Sequence, residues 1–348
     1  MALLTPLEIP QKREISNGVD KSFHYLYHCC KNYRLKGLYN MSDVVCLGQF
    51  TADVVVAPIE AMPQKGRAVF VNNISLHNGG CACNTAVALG KLGIETSVIG
   101  KIGTDTFGDF LSNLMHGNNL DTTGLVRDPN VLTSSTVVLV SPGGERSFLH
   151  YSGANSRMTE NDVNFSLIKD AKILHVAAAF LVPGLDGKPM ARVLAKAKQA
   201  GVTTSLDTAW DADGRWMSIL EPCLEHVDIF LPSLEEAQML TGKKNTPEIA
   251  NTFLNYGIKT VVIKLGSEGC YVKTTNNEFT SPAFKVESVV DTLGAGDAFV
   301  AGFLAGMVKG WSLEKICRFA NAAGACCVSA PGASGIKSME ETIKLYQL

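Results

Sequence analysis

The sequence has no uninterrupted apolar run of the ~18 residues that a membrane-spanning helix needs, although 46% of its 348 residues are hydrophobic. It also has no excess of charge of one sign, since 31 basic and 33 acidic residues leave a net charge of −2. A protein without a basic surplus has no broad attraction for phosphate backbones. We therefore expect neither a membrane nor a nucleic acid as a partner.

The ten cysteines form no CxxC pair, and no set of Cys and His residues has the spacing of a zinc site. Pairs such as Cys81 and Cys83 lie among apolar neighbours, which is typical of reduced thiols that pack as small hydrophobic residues. Residues 1–41 contain six basic and three acidic side chains but no apolar segment of the signal-peptide kind. The sequence predicts a cytoplasmic protein with an extension of unassigned role over residues 1–41 and a main domain over 42–348.

Short β-like runs alternate with helical patterns along the main domain. Buried-strand patterns are predicted at 44–47, 173–176, 202–206, 227–231 and 261–263, with further β-like runs at 54–56 and 68–71 and a hairpin over 135–150. Strands that alternate with helices build a mainly parallel sheet with helices on both faces. The length fits one large α/β domain.

The segment Asp291-Thr292-Leu293-Gly294-Ala295-Gly296-Asp297 lies between a predicted β-like run over 284–290 and a predicted helix over 298–308. Its small residues leave the backbone N–H groups of 294–297 unscreened at a helix N-terminus, which suits an anion such as a phosphoryl group. Asp297 would lie beside that anion, where a carboxylate can take the proton of an attacking alcohol. Taken alone, a GxG turn followed by a capping Asp is also a common tight corner.

A second pattern, Gly79-Gly80-x-x-x-Asn84, is followed by Leu92-Gly93 and then by Gly100-x-x-Gly103-x-Asp105-x-x-Gly108. Together with segment 291–297, it resembles the two signatures of the ribokinase-like carbohydrate kinases of the phosphofructokinase-B type, in the expected order over roughly 300 residues. The resemblance implies a three-layer α/β/α ribokinase-like fold with a mainly parallel central sheet. It also implies a small β-sheet lid formed mainly by about 54–76, through which family members pair into homodimers.

The resemblance assigns roles to individual residues. Asp297 would be the catalytic base, with the backbone of Gly294, Ala295, Gly296 and Asp297 as the anion hole. The acceptor would be bound by Asp53, Gly79, Gly80 and Asn84. ATP would be bound by Ser233, Lys264, Gly266, Gly269 and Asn321, although Ser233 stands where the family usually carries Asn.

The resemblance also implies metal ions. Glu236 would order Mg²⁺ through water, in keeping with the preference of Mg²⁺ for hard carboxylates and its reluctance to lose its waters. A monovalent cation such as K⁺ would lie near Asp291, Ala330 and Gly332, although the serine usual after that glycine is lacking.

The sequence thus predicts an ATP-dependent phosphotransferase that phosphorylates a hydroxyl of a sugar or sugar-like acceptor. A nucleoside kinase of the same fold stays open, because the residues around Asp53 and Asn84 do not identify the acceptor. A non-catalytic sugar or nucleotide sensor would be expected to lose Asp297 or a glycine of the anion hole, and all are present. A dinucleotide-dependent dehydrogenase is disfavoured, because Phe299 occupies the place of the third glycine of GxGxxG.

Overall fold

The computed structural model describes residues 42–330 and 335–348, so the predicted extension over residues 1–41 lies outside the described residues. The strands are β1 (Val44–Gly48), β2 (Thr51–Ala57), β3 (Asn73–Gly79), β4 (Thr96–Gly103), β5 (Asp121–Asp128), β6 (Ser135–Val140), β7 (Arg146–Tyr151), β8 (Ile173–Ala179), β9 (Thr203–Thr208), β10 (Ile229–Phe230), β11 (Thr260–Lys264), β12 (Cys270–Thr274) and β13 (Glu278–Ser281). The helices are α1 (Cys81–Lys91), α2 (Thr106–Gly117), α3 (Phe165–Ile168), α4 (Lys188–Gln199), α5 (Met217–Leu224), α6 (Leu234–Thr241), α7 (Thr246–Leu254), α8 (Ala295–Val308), α9 (Leu313–Cys327) and α10 (Met339–Tyr346).

Nine of these strands form the large sheet in the order β13-β12-β11-β10-β9-β8-β1-β4-β5. The strands from β11 to β5 pair in parallel, and only the β11-β12-β13 edge is antiparallel. Along β1, Val44 and Cys46 contribute to one hydrophobic core, whereas Val45 and Leu47 contribute to a second core. Successive side chains of a strand point to opposite faces, so both faces of the sheet are covered by helices. The predicted three-layer α/β/α fold is confirmed.

Four strands form a separate small sheet in the order β3-β2-β6-β7. Cross-strand pairing places Asp53 opposite His77 and Thr136, and Thr136 opposite His150. Paired residues share a face, so these side chains and that of Arg146 lie on what we call the inner face. The residues between them in sequence form the outer face, which includes Val54, Ile74, Leu76, Val137, Leu149 and Tyr151.

Three predicted strands differ from the structure. Residues 284–290 form no strand within the described chain; the Val290 N–H donates to the Val328 carbonyl, and the segment lines a cleft. Residues 68–71 lie in an exposed loop, because the ladder with β2 begins only where Asn73 pairs with Ala57. The predicted strand at 227–231 is reduced to β10. Helix α8 begins at Ala295 rather than at 298.

The elements that carry the sequence motifs meet at the carboxyl edge of the large sheet. β1 lies between β8 and β4. The strand order therefore runs toward one edge of the sheet from β1 to β4 and β5, and toward the other edge from β8 to β9 and β10. Ligands of open α/β sheets bind at such a switch point. Helices α1 and α9 both pack against α8, which brings the start of α1 beside the start of α8. None of the helices in the described part of the chain is both long and apolar enough to cross a membrane.

Candidate active site

Asp297 lies in the first turn of α8 and is only 9% exposed. Its Oδ2 accepts a hydrogen bond of 2.8 Å from the Asn84 amide nitrogen, and the Asn84 Oδ1 accepts one of 2.7 Å from Asn78. The packing of α1 against α8 therefore joins two sequence motifs that are 213 residues apart. This chain of hydrogen bonds fixes the direction of the Asp297 carboxylate.

Burial raises the pKa of Asp297, whereas the hydrogen bond from Asn84 and the positive charge of Lys264 lower it. A buried carboxylate with few polar partners is a stronger proton acceptor than a solvated one. The electrostatic environment thus suits a general base.

The predicted anion hole lies at the N-terminus of α8. Gly294 precedes the helix with φ 76°, a left-handed conformation that glycine adopts without steric cost. The N–H of Ala295 donates to the Thr292 carbonyl at 3.3 Å, so this group is already used in the turn that precedes the helix. Because a helix leaves its first N–H groups without intrahelical acceptors, those of Gly296 and Asp297 are the donors best suited to an anion.

Asp53 lies on the inner face of the small sheet and is 7% exposed. A side chain at Gly79 would place its Cβ 2.1 Å from the Asp53 Oδ2, so only glycine leaves room for this carboxylate. Gly80 has φ 83° and packs against the Gln49 carbonyl. The structure therefore brings together all four predicted acceptor residues: Asp53, Gly79, Gly80 and Asn84.

A cleft of about 540 Å³ opens beside the anion hole. Its lining includes four of the five residues predicted to bind ATP, namely Lys264, Gly266, Gly269 and Asn321, together with Ala295 and Gly296 of the anion hole. The Asn321 amide donates to the carbonyls of Ser281 and Pro282, so this side chain also holds the cleft wall. The volume lies in the usual range for small-molecule sites.

Ser233, the fifth predicted ATP residue, is not among the lining residues of this cleft. Its hydroxyl accepts from the Glu236 N–H, and the Glu236 carboxylate accepts from the Ser233 N–H at 3.0 Å. This is a capping box at the start of α6. The same Glu236 oxygen accepts from the Thr208 hydroxyl at 2.9 Å.

Lys264 carries the positive charge of the site. Its Nζ lies 2.8 Å from both carboxylate oxygens of Asp207 and 3.7 Å from the position that a Cβ on Gly296 would occupy. Sequence reasoning did not single out Asp207. An acid that directly follows a buried strand was the available signal, and Asp207 shares it with Asp53 and with many turn residues.

Of the three residues predicted to hold a monovalent cation, the structure describes Asp291 and Ala330. The Asp291 carboxylate forms an ion pair with Arg146 of the small sheet, and it accepts the Leu293 N–H at 2.6 Å. The Ala330 N–H donates to the Cys327 carbonyl at 3.4 Å, and Gly332 lies outside the described residues. The structure thus shows a partner for Asp291 that the sequence motifs did not suggest.

Comparison with known proteins matches residues 41–340 to the pfkB family carbohydrate kinases. The chain belongs to this family. Among its relatives, probable fructokinase-6 of Arabidopsis thaliana is 34% identical over 94% of this chain and 90% of that protein. A ribokinase of Staphylococcus aureus is 32% identical over 86% of this chain and 98% of that protein.

Solved structures of the pfkB family share the fold. A ribokinase of Arabidopsis thaliana, determined with ribose and ATP, superimposes with a TM-score of 0.77 and 27% identity. The match covers 88% of this chain and 99% of that one. This pfkB family chain therefore has a ribokinase-like fold.

Proposed function

We propose that this protein is an ATP-dependent kinase that phosphorylates a hydroxyl of a sugar or sugar-like acceptor. The observation that carries the proposal is the position of Asp297, a buried carboxylate held by Asn84 between the predicted acceptor residues and the nucleotide-sized cleft. The family and its fructokinase and ribokinase relatives support the same reaction class.

In the proposed mechanism, Asp53 and Asn84 orient the acceptor so that one hydroxyl faces Asp297. Asp297 takes the proton of that hydroxyl as its oxygen attacks, and the N–H groups of Gly296 and Asp297 stabilise the transferring phosphoryl group. Mg·ATP would supply that group, with ADP as the leaving group. The small sheet covers the acceptor and excludes water, which would otherwise compete as a nucleophile.

Glu236 fits a role with Mg²⁺ through water, because its carboxylate lies near Lys264 and Asp297 at the same edge of the sheet. In the described residues, no group of three His, Cys, Asp or Glu side chains is arranged to hold an ion directly. An ion held mainly by phosphates and waters needs no such group. K⁺ fits less well, because the Arg146 guanidinium already supplies positive charge at Asp291.

The proposal is tested by measuring ADP formation from Mg·ATP with a panel of pentoses, hexoses, keto-sugar acids, sugar phosphates and nucleosides. We expect turnover with one acceptor class, and its loss in the Asp297→Asn protein. Turnover with nucleosides alone would favour a nucleoside kinase. Ligand binding without turnover on any acceptor would favour the sensor and overturn the proposal.

Acceptor binding is expected to depend on the ionisation of Asp53. Burial raises the pKa of Asp53 to about 6, and a hydrogen bond from Thr136 opposes this rise. A carboxylate that accepts bonds from acceptor hydroxyls works only when ionised, so the dissociation constant of the acceptor, measured by calorimetry without turnover, should rise as the pH drops through about 6. Thr136→Val should move this inflection to higher pH. An inflection that persists in Asp53→Asn would contradict the assignment.

We further propose that the outer face of the small sheet joins two copies of the chain into a homodimer. Its large apolar side chains are exposed, Ile74 by 64% and Leu149 by 58%, and apolar faces of this kind mark interaction sites. Ile74→Asp combined with Leu149→Asp should give a monomer in light scattering. Leu345→Asp, on α10, is the control. Wild-type protein that is monomeric at micromolar concentration would refute the dimer.

A cytoplasmic location also stays a prediction.

A further inference from the structure

The described chain places three acids and one amine around the anion hole. Asp207, Glu236 and Asp297 all act electrostatically on Lys264. Burial alone would lower the pKa of Lys264, but the charges of Asp207 and Glu236 raise it above its ordinary value. Burial raises the pKa of Asp207 to about 7, and the charge of Lys264 opposes this rise, so above about pH 7 the pair is an ammonium and a carboxylate. An ammonium among three acids has a choice of partners.

The geometry shows which partner it takes. Both oxygens of Asp207 lie 2.8 Å from the Lys264 Nζ, whereas the contacts of Asp297 are with Asn84 and the Cys81 thiol. Asp207 is 3% exposed, and β9 and β11, on which the two residues lie, flank β10. The pair is thus built into the rigid carboxyl edge of the sheet.

We infer that Asp207 is a positioning residue that holds the Lys264 ammonium over the anion hole and keeps it from pairing with Asp297. The inference rests on the proposed kinase function. With Lys264 held in this place, its charge is directed at the transferring phosphoryl group. Asp297 stays free of a competing ammonium and able to take the acceptor proton.

Other titratable groups near the pair do not take over this role. The His175 ring, on β8, shares a hydrogen bond of 3.1 Å with the Ser205 hydroxyl. Burial and the charge of Lys264 lower the pKa of His175 to about 3, so the ring is neutral. Burial also raises the pKa of Cys81 well above its ordinary value, so its thiol is protonated. Glu236 is held by Thr208 and Ser233.

The test compares Asp207→Asn with Lys264→Met and Lys264→Arg. The amide of Asp207→Asn keeps the shape but not the charge, so the ammonium should shift toward Asp297 and stabilise its ionised form. We expect kcat to fall about 10- to 100-fold, the acceptor KM to change little, and the acidic limb of the kcat profile to move to lower pH. Lys264→Met should also lose kcat, but because it removes the positive charge that lowers the pKa of Asp297, its acidic limb should move to higher pH instead. Lys264→Arg should restore part of the lost kcat.

Asp228→Asn is the matched control. Asp228 is also a buried acid paired with a lysine, Lys259, at 2.9 Å, but it precedes β10 and so lies at the opposite edge of the sheet. This variant should lose thermal stability and keep its kcat and pH profile. An Asp207→Asn protein that behaves in the same way, or that shows an unshifted acidic limb, would overturn the inference.

Binding measurements separate this inference from the proposed function. By calorimetry, Asp207→Asn and Lys264→Met should lose the preference of the wild type for the β,γ-methylene analogue of ATP over ADP, because Lys264 faces the terminal phosphoryl position. A preference that is unchanged in both variants would refute the role of the pair. A wild type without turnover on any acceptor would count against the kinase proposal, and calorimetry would still decide the role of Asp207.

Discussion

Asp297→Asn is expected to lower kcat by at least about 10²-fold, the usual contribution of a positioned general base, and to leave the thermal midpoint at pH 7.5 no lower than that of the wild type. The amide can still accept the bond from Asn84, but it cannot take a proton. It also removes a charge whose burial raises the pKa of Asp297 and so costs stability at neutral pH.

The sign of this stability difference can be checked against pH. Because the pKa of Asp297 is higher in the folded than in the unfolded chain, the native state binds more protons between the two values, and the wild type gains stability as the pH falls through that window. The advantage of Asp297→Asn in the free energy of unfolding should therefore shrink in acid. Denaturant unfolding at several pH values measures this difference in the free energy of unfolding. Unchanged kcat in Asp297→Asn would remove Asp297 from the mechanism.

Gly296→Ala is expected to lower kcat/KM at least about 10²-fold, a loss comparable with the removal of an anion-hole donor. An added Cβ would meet only the Lys264 Nζ, at 3.7 Å, which is an ordinary contact. The methyl group would therefore fit the fold but occupy the space between the ammonium and the N-terminus of α8, where the proposed mechanism puts the phosphoryl group. Because alanine favours the helix over glycine by about 0.5–1 kcal/mol, the variant should be at least as stable as the wild type.

Two other glycines provide controls for this substitution. A Cβ on Gly302, also in α8, would lie 2.9 Å from the Ala320 Cα, so Gly302→Ala should destabilise the protein by about 1–3 kcal/mol through overpacking. Gly117, at the end of α2, has open space around it, and Gly117→Ala should leave activity unchanged. Wild-type kinetics in Gly296→Ala would show that the phosphoryl group does not pass through this space.

Packing could not be predicted in detail from the sequence, yet it determined several contacts of the site. The hydrogen bond between Asn84 and Asp297 depends on the contact of α1 with α8. Each sequence motif contains only one of the two residues, so neither motif shows that they meet. Asp207 and Arg146 were not singled out for the same reason: their partners, Lys264 and Asp291, are 57 and 145 residues away. A charge acquires its partner only when the strands are ordered in a sheet.

The sequence by itself determined the class of fold, because alternating buried strands and amphipathic helices are readable from local patterns. It also determined the turn at residues 294–297, since glycine backbone freedom and a helix N-terminus are local properties. The tertiary structure alone decided that residues 284–290 line a cleft instead of forming a strand. It also decided that Lys264 pairs with Asp207 and Asp291 with Arg146, because long-range electrostatics depends on distances that only the folded chain sets.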